Sequence, residues 1–530
     1  NNKVIDNSLE YLTTFEVPEE WKDLEYKDNQ KLTFNESINL LKGDTLPVSS
    51  FIKNKEGIFE GTTTKEEKRN IAEEVPCWIS ENCIECNQCA FSCPHGVIRP
   101  FLLDKKDSKV ESIPSLLPKD KEFTIGINYE ECTGCGVCTL ACPGKLGKKA
   151  LEMVPNKDKE NNFEYLLKNN VNDKYQSNLL TVKNVSFKEP KFEYSGACAG
   201  CGETPYITNL TRVFNDNLMI ANATGCSSIY SGSVPSMPYS IPWASSLFED
   251  NTEYGYGILQ GINIKRDKIK KYMKEYPRNK LFKKWIENMD NYDICKEVKE
   301  NIDYKKHPYL NDMKDYILPK QLWVLGGDGF AYDIGYGGLD HVLSKKDNIN
   351  ILVLDTEVYS NTGGQSSKSS NIGSVASFTS NGKDNYKKDL ARIAMCYPHV
   401  YVASVNIGYN KEQYLKAIKE ASLHNGPSLI IAYSPCIEHG IKTGMQHSQS
   451  NGYLATKCGY FLTFRYNPDT KKFSLDSKEP EFDKYEDYLM TENRFASLVR
   501  KDKERARLLL EEQKQWAIDR YNYYKKISEE

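Results

Sequence analysis

The sequence predicts an α/β protein, in which a doubly wound parallel sheet is preceded by a small α+β domain rich in cysteine. Two observations support this prediction. Nine of the 16 cysteines lie between Cys77 and Cys142, most of them two or three residues apart. From residue 182 onward, short apolar runs alternate with helical patterns, which is typical of parallel α/β sheets. At 530 residues the chain is also too long for one hydrophobic core.

The alternation of strands and helices is clearest in residues 321–433. The first strand there ends at Gly-Gly-Asp-Gly, and the second ends in an Asp-Thr-Glu loop. The segments in order are a strand at 321–325, a helix at 331–344, strands at 350–355 and 399–405, a helix at 411–424 and a strand at 427–433. This order predicts parallel strands joined by helical crossovers.

We expect four regions along the chain. These are a small packing or linker domain at 1–80, the cysteine-rich domain at 81–153, the α/β domain at 182–480 and a helical extension at 481–530. The stretch 156–178, rich in Asn, Lys and Asp, is interpreted as a linker or surface excursion. Two charged helical stretches, 264–304 and 495–524, are interpreted as an exposed arm and a surface helix with solvated faces.

Composition and charge exclude several classes of function. A net charge of −3 provides no general attraction to nucleic acid or anionic lipid. Apolar runs such as 351–354 are far shorter than the roughly 20 residues of a membrane helix, so we expect no membrane span. Residues 1–10 show no secretory signal, and crowded cysteines indicate metal binding in a reducing, cytoplasmic setting rather than disulfides. The chain lacks an initiator Met, so we expect it to be the tail of a longer polypeptide.

The dense cysteines form two runs with the same spacing, Cys-x2-Cys-x2-Cys-x3-Cys-Pro. The runs are Cys83, Cys86, Cys89 and Cys93, and then Cys132, Cys135, Cys138 and Cys142. This is the spacing of bacterial ferredoxins that hold two [4Fe–4S] clusters, where the fourth cysteine of each run binds the other cluster. It therefore predicts two mixed groups: Cys83, Cys86 and Cys89 with Cys142, and Cys132, Cys135 and Cys138 with Cys93. A zinc site also uses Cys-x2-Cys pairs, but it leaves the third and fourth cysteines unexplained.

A third pair, Cys198-x2-Cys201, could belong to a third cluster, a redox dithiol or half of a zinc site. A third cluster needs two more thiolates. Cys226 lies in a glycine-containing turn and Cys436 follows a predicted strand, which is where ligands of α/β sheets gather. Spacing alone does not select these two firmly from the remaining thiols. We interpret the other four as structural thiols: Cys77, Cys295, Cys396 and Cys458.

The loops after two successive predicted strands indicate a site for a diphosphate. Gly327-Asp328-Gly329 lies between a strand and a helix, where glycines admit phosphate oxygens and the helix N-terminus favours negative charge. Asp328 is placed to hold a divalent cation. Gly-Asp-Gly alone is also ordinary turn chemistry, but the loop 355–365 supplies further oxygens at the same edge of the sheet. The two loops together predict a metal–diphosphate site.

The order Gly-Asp-Gly, strand, Asn-containing loop resembles the thiamine-diphosphate-binding motif. Thr356 stands where the commonest form of that motif has an Asn metal ligand. The whole chain resembles pyruvate:ferredoxin (flavodoxin) oxidoreductase in the paired cysteine runs and in the segments 196–206, 326–341, 354–368 and 434–440. Residues 67–69, Glu-Lys-Arg, resemble the short domain that precedes the ferredoxin insert of that family. The resemblance implies a thiamine-diphosphate-binding fold preceded by a ferredoxin-like domain with two [4Fe–4S] clusters.

The resemblance also implies a set of cofactor ligands. It implies three [4Fe–4S] clusters in all, the third being a proximal cluster on Cys198, Cys201, Cys226 and Cys436. It implies Mg²⁺ held by Asp328, Thr356 and the carbonyl of Val358. Contacts with thiamine diphosphate are implied for Glu203, Cys226, Gly327, Asp328, Gly329, Phe330, Thr356, Glu357, Val358, Tyr359, Ser360 and Asn361. Asn361 is further implied to face pyruvate as a catalytic residue.

By this resemblance we expect oxidative decarboxylation of pyruvate with coenzyme A, with electrons passed to ferredoxin or flavodoxin, in a cytoplasmic homodimer or a hydrogenosome-like organelle. The coenzyme A domain and the domain that supplies the activating glutamate are expected upstream of Asn1. Two alternatives stay open. One is another 2-oxoacid as substrate, although the segment 360–368 favours pyruvate. The other is an electron-transfer module without catalysis, against which the intact metal and diphosphate loops speak.

Overall fold

The structure is a computed structural model that describes residues 14–22, 32–54, 59–156, 161–175, 177, 179–232 and 236–529. The expectation about residues 1–10 lies outside the described residues, as does part of the predicted domain 1–80. Two compact units divide the chain, Asn1–Phe59 and Glu60–Glu530. The first contains helix α1 (Phe34–Asn39), which begins with a capping box between Thr33 and Glu36.

In the second unit, five short strands surround the cysteine runs: β1 (Glu74–Trp78), β2 (Ile98–Leu103), β3 (Ile113–Pro114), β4 (Glu122–Ile127) and β5 (Leu151–Pro155). β1 pairs with β5, and the other three form an antiparallel sheet in the order β2-β4-β3. Helices α2 (Gln88–Ser92) and α3 (Val137–Ala141) pack against each other and carry the third cysteine of each run. β1 and β5 are the first and last strands of this α+β region, so their pairing brings its two chain ends together.

The predicted linker at 156–178 is partly packed. Helix α4 (Phe163–Asn169) buries Phe163 and Leu166 in a small core with Phe101 and Leu103 of β2. Glu164 and Lys168 of this helix are exposed to solvent. Helix α5 (Val182–Ser186) follows, and the hydroxyl of Thr181 caps its first turn.

The centre of the second unit is an eight-stranded sheet in the order β13-β12-β10-β11-β9-β8-β6-β7. Its strands are β6 (Leu218–Ala223), β7 (Trp243–Ser246), β8 (Gln321–Gly326), β9 (Asn350–Asp355), β10 (Tyr401–Val405), β11 (Ser428–Tyr433), β12 (Phe464–Asn467) and β13 (Lys472–Leu475). Six strands are parallel, whereas β12 and β13 add an antiparallel edge. All residues of β9, β10 and β11 are buried, as in parallel strands covered on both faces.

Helices cover both faces of this sheet, which confirms the doubly wound prediction. Alternate residues of β9 enter two cores: Ile351 and Val353 face one, and Leu352 and Leu354 face the other. The α-helices described after α5 are, in chain order, α6 (Thr204–Phe214), α7 (Cys226–Ile229), α8 (Asn251–Lys274), α9 (Lys280–Glu287), α10 (Tyr292–Asn301), α11 (Pro308–Asn311), α12 (Asp328–Ala331), α13 (Tyr336–Leu343), α14 (Leu390–Ala394), α15 (Lys411–Leu423), α16 (Ser448–Lys457), α17 (Tyr485–Leu489), α18 (Asn493–Lys501) and α19 (Lys503–Glu529).

Both charged stretches are helical as predicted, but neither is only a solvated surface helix, because each also buries apolar side chains. In the first, α8, α9 and α10 enclose a separate core that includes Phe282, Trp285 and Cys295. In the second, Tyr521 and Tyr524 of α19 are buried in the main core, where Tyr524 covers the antiparallel edge of the sheet. The many charged residues on the outer faces of these helices dominated the sequence pattern, so the apolar stripes were not recognised from it. No helix among the described residues is both long and apolar enough to cross a membrane.

Candidate functional site

Four neighbouring parallel strands, in the order β11-β9-β8-β6, end at the same edge of the sheet. A residue singled out from the sequence follows each strand closely: Cys436 after β11, Thr356 after β9, Asp328 after β8 and Cys226 after β6. The carboxyl ends of parallel strands are where α/β sheets collect their ligands. The fold therefore gathers at one edge residues that are more than 200 positions apart in the chain.

A cavity of about 470 Å³ lies at this edge. All the predicted contacts of thiamine diphosphate line it except Glu357. The sequence reasoning missed seven further lining residues: Thr224, Gly225, Ser227, Phe248, Ile334, Thr362 and Gln365. Thr362 and Gln365 lie in the predicted loop 355–365 and Ile334 in the segment 326–341, although none of them was singled out. The residues beside Cys226 could have been found by extending its turn, whereas Phe248 belongs to no recognised segment. A Cβ at position 329 would lie 2.9 Å from the Tyr359 ring, so a larger residue there would require the Tyr359 side chain to shift.

Asp328 has the environment of a cation ligand. Its Oδ2 accepts a hydrogen bond of 2.6 Å from Ser367 Oγ, but its buried Oδ1 has no partner among the described residues. Burial, and then the nearby Asp355, raise the pKa of Asp328 well above its ordinary value. A buried carboxylate oxygen without a partner is costly, and a divalent cation would compensate it. The residues present therefore fit a metal ion.

Thr356 and Val358, the other two predicted metal ligands, lie side by side. The Thr356 hydroxyl is 2.9 Å from the Val358 carbonyl oxygen and donates to it in this structure. Mg²⁺ prefers octahedral geometry with bonds of about 2.0–2.1 Å, so neighbouring ligand oxygens lie about 2.9 Å apart. The spacing of these two oxygens is compatible with adjacent positions in such a site.

The side chain of Glu357 does not face the cavity. Its backbone is left-handed, with φ of 59°. Its carboxylate is 2.7 Å from Lys387 Nζ and 2.9 Å from Arg494 Nη1, and it accepts a hydrogen bond from the Tyr460 hydroxyl. Burial alone would raise the pKa of Glu357, but Lys387 and Arg494 outweigh it and lower the pKa to about 2. The Glu357 side chain thus supports the loop from behind, and Glu357 is not among the residues that line the cavity.

A second cavity, of about 500 Å³, adjoins the first and shares Glu203, Cys226, Thr356 and Asn361 with it. Four predicted cluster ligands line this second cavity and are called the proximal group: Cys198, Cys201, Cys226 and Cys436. The Gly202 N–H donates to the Pro435 carbonyl at 3.1 Å, which joins two of the ligand loops. A Cβ at position 202 would lie 2.5 Å from that oxygen, so only glycine permits this approach.

The other eight predicted ligands form the two mixed groups that the spacing predicts. The outer group lines a small cavity and consists of Cys83, Cys86, Cys89 and Cys142. The middle group is recognised from Cys138, whose pKa is raised well above its usual value by burial and by the other thiols beside it. Its members are Cys93, Cys132, Cys135 and Cys138.

The three thiol groups lie in a row. Thr133, next to the middle group, lines the proximal cavity, and the backbone of Gly200 lies close to Cys135. At the other side, the middle group lies close enough to the outer group for Cys89 to raise the pKa of Cys138. Within the described ranges, no three His, Cys, Asp or Glu side chains are placed to hold a metal ion. A cubane makes a different demand, because each of its four irons takes one thiolate.

Buried hydrogen bonds of Glu203 and His439 connect the two cavities; Glu203 was a predicted cofactor contact, whereas Tyr230 and His439 were not singled out from the sequence. The Tyr230 hydroxyl donates to Glu203 Oε2 at 2.8 Å, and burial raises the pKa of Glu203 to about 7. His439 Nε2 is 2.7 Å from the Thr356 carbonyl oxygen. It therefore links the loop after β9 to the segment that carries Cys436. Glu203 and His439 couple the diphosphate loops to the proximal thiols.

Three family models match parts of the chain. A 4Fe-4S dicluster domain matches residues 82–146, and the C-terminal TPP binding domain of thiamine pyrophosphate enzymes matches residues 315–432. A third model, described as a domain of unknown function, matches residues 34–72. The first two matches support [4Fe–4S] clusters and thiamine diphosphate as cofactors, as the sequence predicts.

Curated relatives are similar over the whole chain. The pyruvate:ferredoxin oxidoreductase of Moorella thermoacetica is 42% identical, over 100% of this chain and 49% of its own length. The pyruvate-flavodoxin oxidoreductase of Enterobacter agglomerans is 40% identical over the same shares. This chain resembles the C-terminal portion of these enzymes. It spans about half the length of these curated relatives.

Another curated relative is matched over a smaller share of its own length. The pyruvate dehydrogenase [NADP(+)] of Cryptosporidium parvum is 38% identical over 93% of this chain and 29% of its own length. A solved structure of 2-oxoglutarate:ferredoxin oxidoreductase from Magnetococcus marinus is 18% identical, with a TM-score of 0.31. The match covers 50% of this chain and 68% of that chain, and no structural inference follows from so low a score.

Proposed function

We propose that this chain forms the cofactor-binding part of a pyruvate:ferredoxin (flavodoxin) oxidoreductase. The enzyme would convert pyruvate and coenzyme A to acetyl-CoA and CO₂ and reduce ferredoxin or flavodoxin. One observation carries the proposal: the metal–diphosphate cavity shares four wall residues with the cavity of the proximal thiols. A thiamine site that directly adjoins a cluster site suits an oxidation whose electrons leave one at a time. The names of the relatives support the choice of substrate and acceptor.

In this proposal, Asp328, Thr356 and the Val358 carbonyl hold Mg²⁺, and the glycine loop around Asp328 receives the diphosphate. The unpartnered Oδ1 of Asp328 supports this role. When bound, thiamine diphosphate supplies the electron sink that lets CO₂ leave a 2-oxoacid. Asn361 lines both cavities and offers its amide to pyruvate there.

The twelve thiols of the three groups would hold three [4Fe–4S] clusters, four thiols to each. Such clusters supply one-electron chemistry when bound. Their sites form a row that starts at the diphosphate cavity. The outer group lies at the far end, where Cys83 and Cys86 are only partly buried and Ile84 is 39% exposed. A soluble acceptor can approach the protein at that end.

Glu203 lies on the wall that the two cavities share. The Tyr230 hydroxyl fixes one of its oxygens, and burial raises its pKa to about 7. Glu203 therefore contacts thiamine diphosphate from this shared wall, with one carboxylate oxygen held in place by Tyr230.

The test is an anaerobic assay of the complete enzyme that carries this chain, with pyruvate and 2-oxoglutarate offered separately. The expected result is CO₂ release and ferredoxin reduction that depend on both pyruvate and coenzyme A. Faster turnover of 2-oxoglutarate would assign another 2-oxoacid. If the protein fails to bind thiamine diphosphate while still passing electrons from dithionite to ferredoxin, the electron-transfer module is correct and the proposed enzyme is not.

A further inference from the structure

The Glu67, Lys68, Arg69 turn belongs to the segment that matches a domain of unknown function. It lies at the junction of the proximal and middle thiol groups. On one side, Arg69 Nη1 donates to the Ser195 carbonyl at 2.7 Å, and Nη2 donates to the Tyr194 carbonyl. These two carbonyls belong to the loop that leads to Cys198. Arg69 therefore holds the chain that carries the first two proximal thiols.

On its other side, the same turn holds the loop of the middle group. The Lys68 N–H donates to Glu131 Oε1 at 3.0 Å, and the Asn70 N–H donates to the Glu130 carbonyl at 2.8 Å. Glu131 directly precedes Cys132. Both Lys68 and Asn70 have left-handed backbones, with φ of 49° and 51°. Such conformations are uncommon outside glycine and persist where surrounding contacts fix them.

His95 bridges the same two loops from within the protein. It is 2% exposed, with Nε2 2.9 Å from the Ala197 carbonyl oxygen and Nδ1 3.3 Å from Thr133 Oγ1. A carbonyl only accepts, so Nε2 carries the hydrogen, and Nδ1 of the neutral ring accepts from the Thr133 hydroxyl. Ala197 precedes Cys198 and Thr133 follows Cys132. Arg69 and His95 thus make two independent links between the proximal and middle groups.

The two cations of the turn have different surroundings. The Arg69 side chain is 17% exposed and lines the proximal cavity with its four thiols. It lies 3.1 Å from Glu67 and 3.9 Å from Glu131, and the Glu131 side chain is almost completely buried. The Lys68 side chain is 63% exposed and pairs with Glu130 at 3.5 Å. Arg69 is therefore the positive charge that acts on the proximal site, while the charge of Lys68 is screened by water.

We propose that Arg69, held by Glu67 and reinforced by His95, is a positioning residue that fixes the spacing of the proximal and middle cluster sites and raises the reduction potential of the proximal cluster. The physical reason is that an added electron is favoured by a fixed positive charge in a partly buried site. The guanidinium is not a redox group and acts here only through its charge and its hydrogen bonds. This inference rests on the proposed function in that the proximal thiols must hold a [4Fe–4S] cluster.

The experiment compares the Arg69→Gln and Lys68→Gln variants of the complete, anaerobically purified enzyme. Each change removes one positive charge from the same turn. A redox titration followed by electron paramagnetic resonance reports the potential of each cluster. In Arg69→Gln we expect reduction of the proximal cluster to become at least tenfold less favourable, which is about 59 mV for a one-electron couple. In Lys68→Gln we expect a change of less than twofold, because the charge removed is exposed.

Two further variants separate charge from positioning. Arg69→Lys loses the fork that binds two carbonyls but keeps the positive charge. Because the charge is kept, the reduction potential of the proximal cluster should stay near that of the wild type. His95→Leu removes both hydrogen bonds of the ring at similar volume, whereas Gln in place of His95 can both donate and accept. We expect His95→Leu, but not His95→Gln, to weaken the magnetic interaction between the proximal and middle clusters by at least twofold.

Equal shifts in Arg69→Gln and Lys68→Gln, with full iron content, would overturn the proposal. If Arg69→Gln loses iron, the comparison rests on Arg69→Lys: a proximal potential that falls by tenfold despite the retained charge would contradict the electrostatic role. A wild-type enzyme without a proximal cluster signal would contradict both this proposal and the proposed function. An unshifted potential in an active, fully loaded Arg69→Gln enzyme would contradict this proposal alone.

Discussion

The cysteine-rich region and the diphosphate cavity hold their functional groups in opposite ways. In the former, three thiols of each group come from one run, for example Cys83, Cys86 and Cys89, and only the fourth, here Cys142, comes from the other run. In the latter, the loop after β9 is supported from behind by side chains far along the chain, such as Lys387 and Arg494. The local spacing of the thiols is visible in the sequence, whereas the remote charges that support the diphosphate loop are not.

The remote support is a buried network of charges. Lys387 Nζ is 2.8 Å from Asp355 and 2.7 Å from Glu357, and both carboxylates lie almost completely out of contact with solvent. Tyr332 donates to Asp355 at 2.9 Å, and Lys383 donates to the carbonyl of Ser367 at 2.8 Å. Buried charges are tolerated only when they are paired, so each member depends on the others. The comparison predicts that single changes will remove individual clusters from the thiol groups but will destabilise the whole fold in the buried charge network.

The largest effect is expected from Cys226→Ala, which removes one of the four proximal thiolates. The anaerobically purified protein should contain about twelve irons, and the variant about eight or an altered proximal cluster. Iron and sulfide analysis measures this directly. Cys396→Ala, which changes an exposed thiol outside the three groups, is the matched control and should retain all the iron. Unchanged iron in both Cys226→Ala and Cys436→Ala would show that the proximal assignment is wrong.

Lys387→Met should destabilise the fold without removing any predicted ligand. The change leaves Asp355 and Glu357 buried without their shared cation, and breaking a buried pair in this way costs about 3–5 kcal/mol. Chemical denaturation of the anaerobic protein measures the free energy of unfolding. Lys416→Met, on the exposed face of α15, should stay within about 0.5 kcal/mol of the wild type. A loss below about 1 kcal/mol for Lys387→Met would indicate that water enters the network.

The same contrast explains which parts of the structure could be predicted. The mixed thiol groups and the strand ends followed from spacing and periodicity, because both are properties of neighbouring residues. The orientation of Glu357 did not, because its left-handed backbone turns the side chain away from the cavity. Ser367, Lys387 and Arg494 carry no local pattern that links them to Asp328 or Glu357. The buried core of α8, α9 and α10 was hidden among lysines and glutamates whose long side chains reach water.

Asp328→Ala tests the metal site itself. The change removes the only carboxylate expected to hold Mg²⁺, so the charge of the diphosphate is less well neutralised. Affinity for thiamine diphosphate should fall at least tenfold, which corresponds to about 1.4 kcal/mol. Calorimetric titration in the presence of Mg²⁺ measures this. Asp340→Ala, on α13 and outside the cavity lining, should bind as the wild type does. Equal affinity in Asp328→Ala would exclude Asp328 as a ligand.

The smallest effect is expected from Ser367→Ala. This change tests how a side chain outside the cavity lining supports the metal ligand Asp328. Ser367 Oγ donates to Asp328 Oδ2 and leaves Oδ1 for the cation. Without this hydrogen bond the Asp328 carboxylate can rotate. Part of the resulting free-energy cost arises equally in the free and the cofactor-bound protein, so that part does not change the affinity. Affinity for thiamine diphosphate with Mg²⁺ should therefore fall only about threefold, or about 0.7 kcal/mol. Ser422→Ala, an exposed hydroxyl on α15, is the matched control.

A double variant decides whether Ser367 acts through Asp328. If Ser367 only orients that carboxylate, Ser367→Ala adds no further loss of affinity once Asp328 is already Ala, because the two changes remove the same interaction. Losses that add up would mean that Ser367 contributes to the cavity by another route. Non-additivity here, together with full iron content in both single variants, would establish that the diphosphate site is supported independently of the thiol groups.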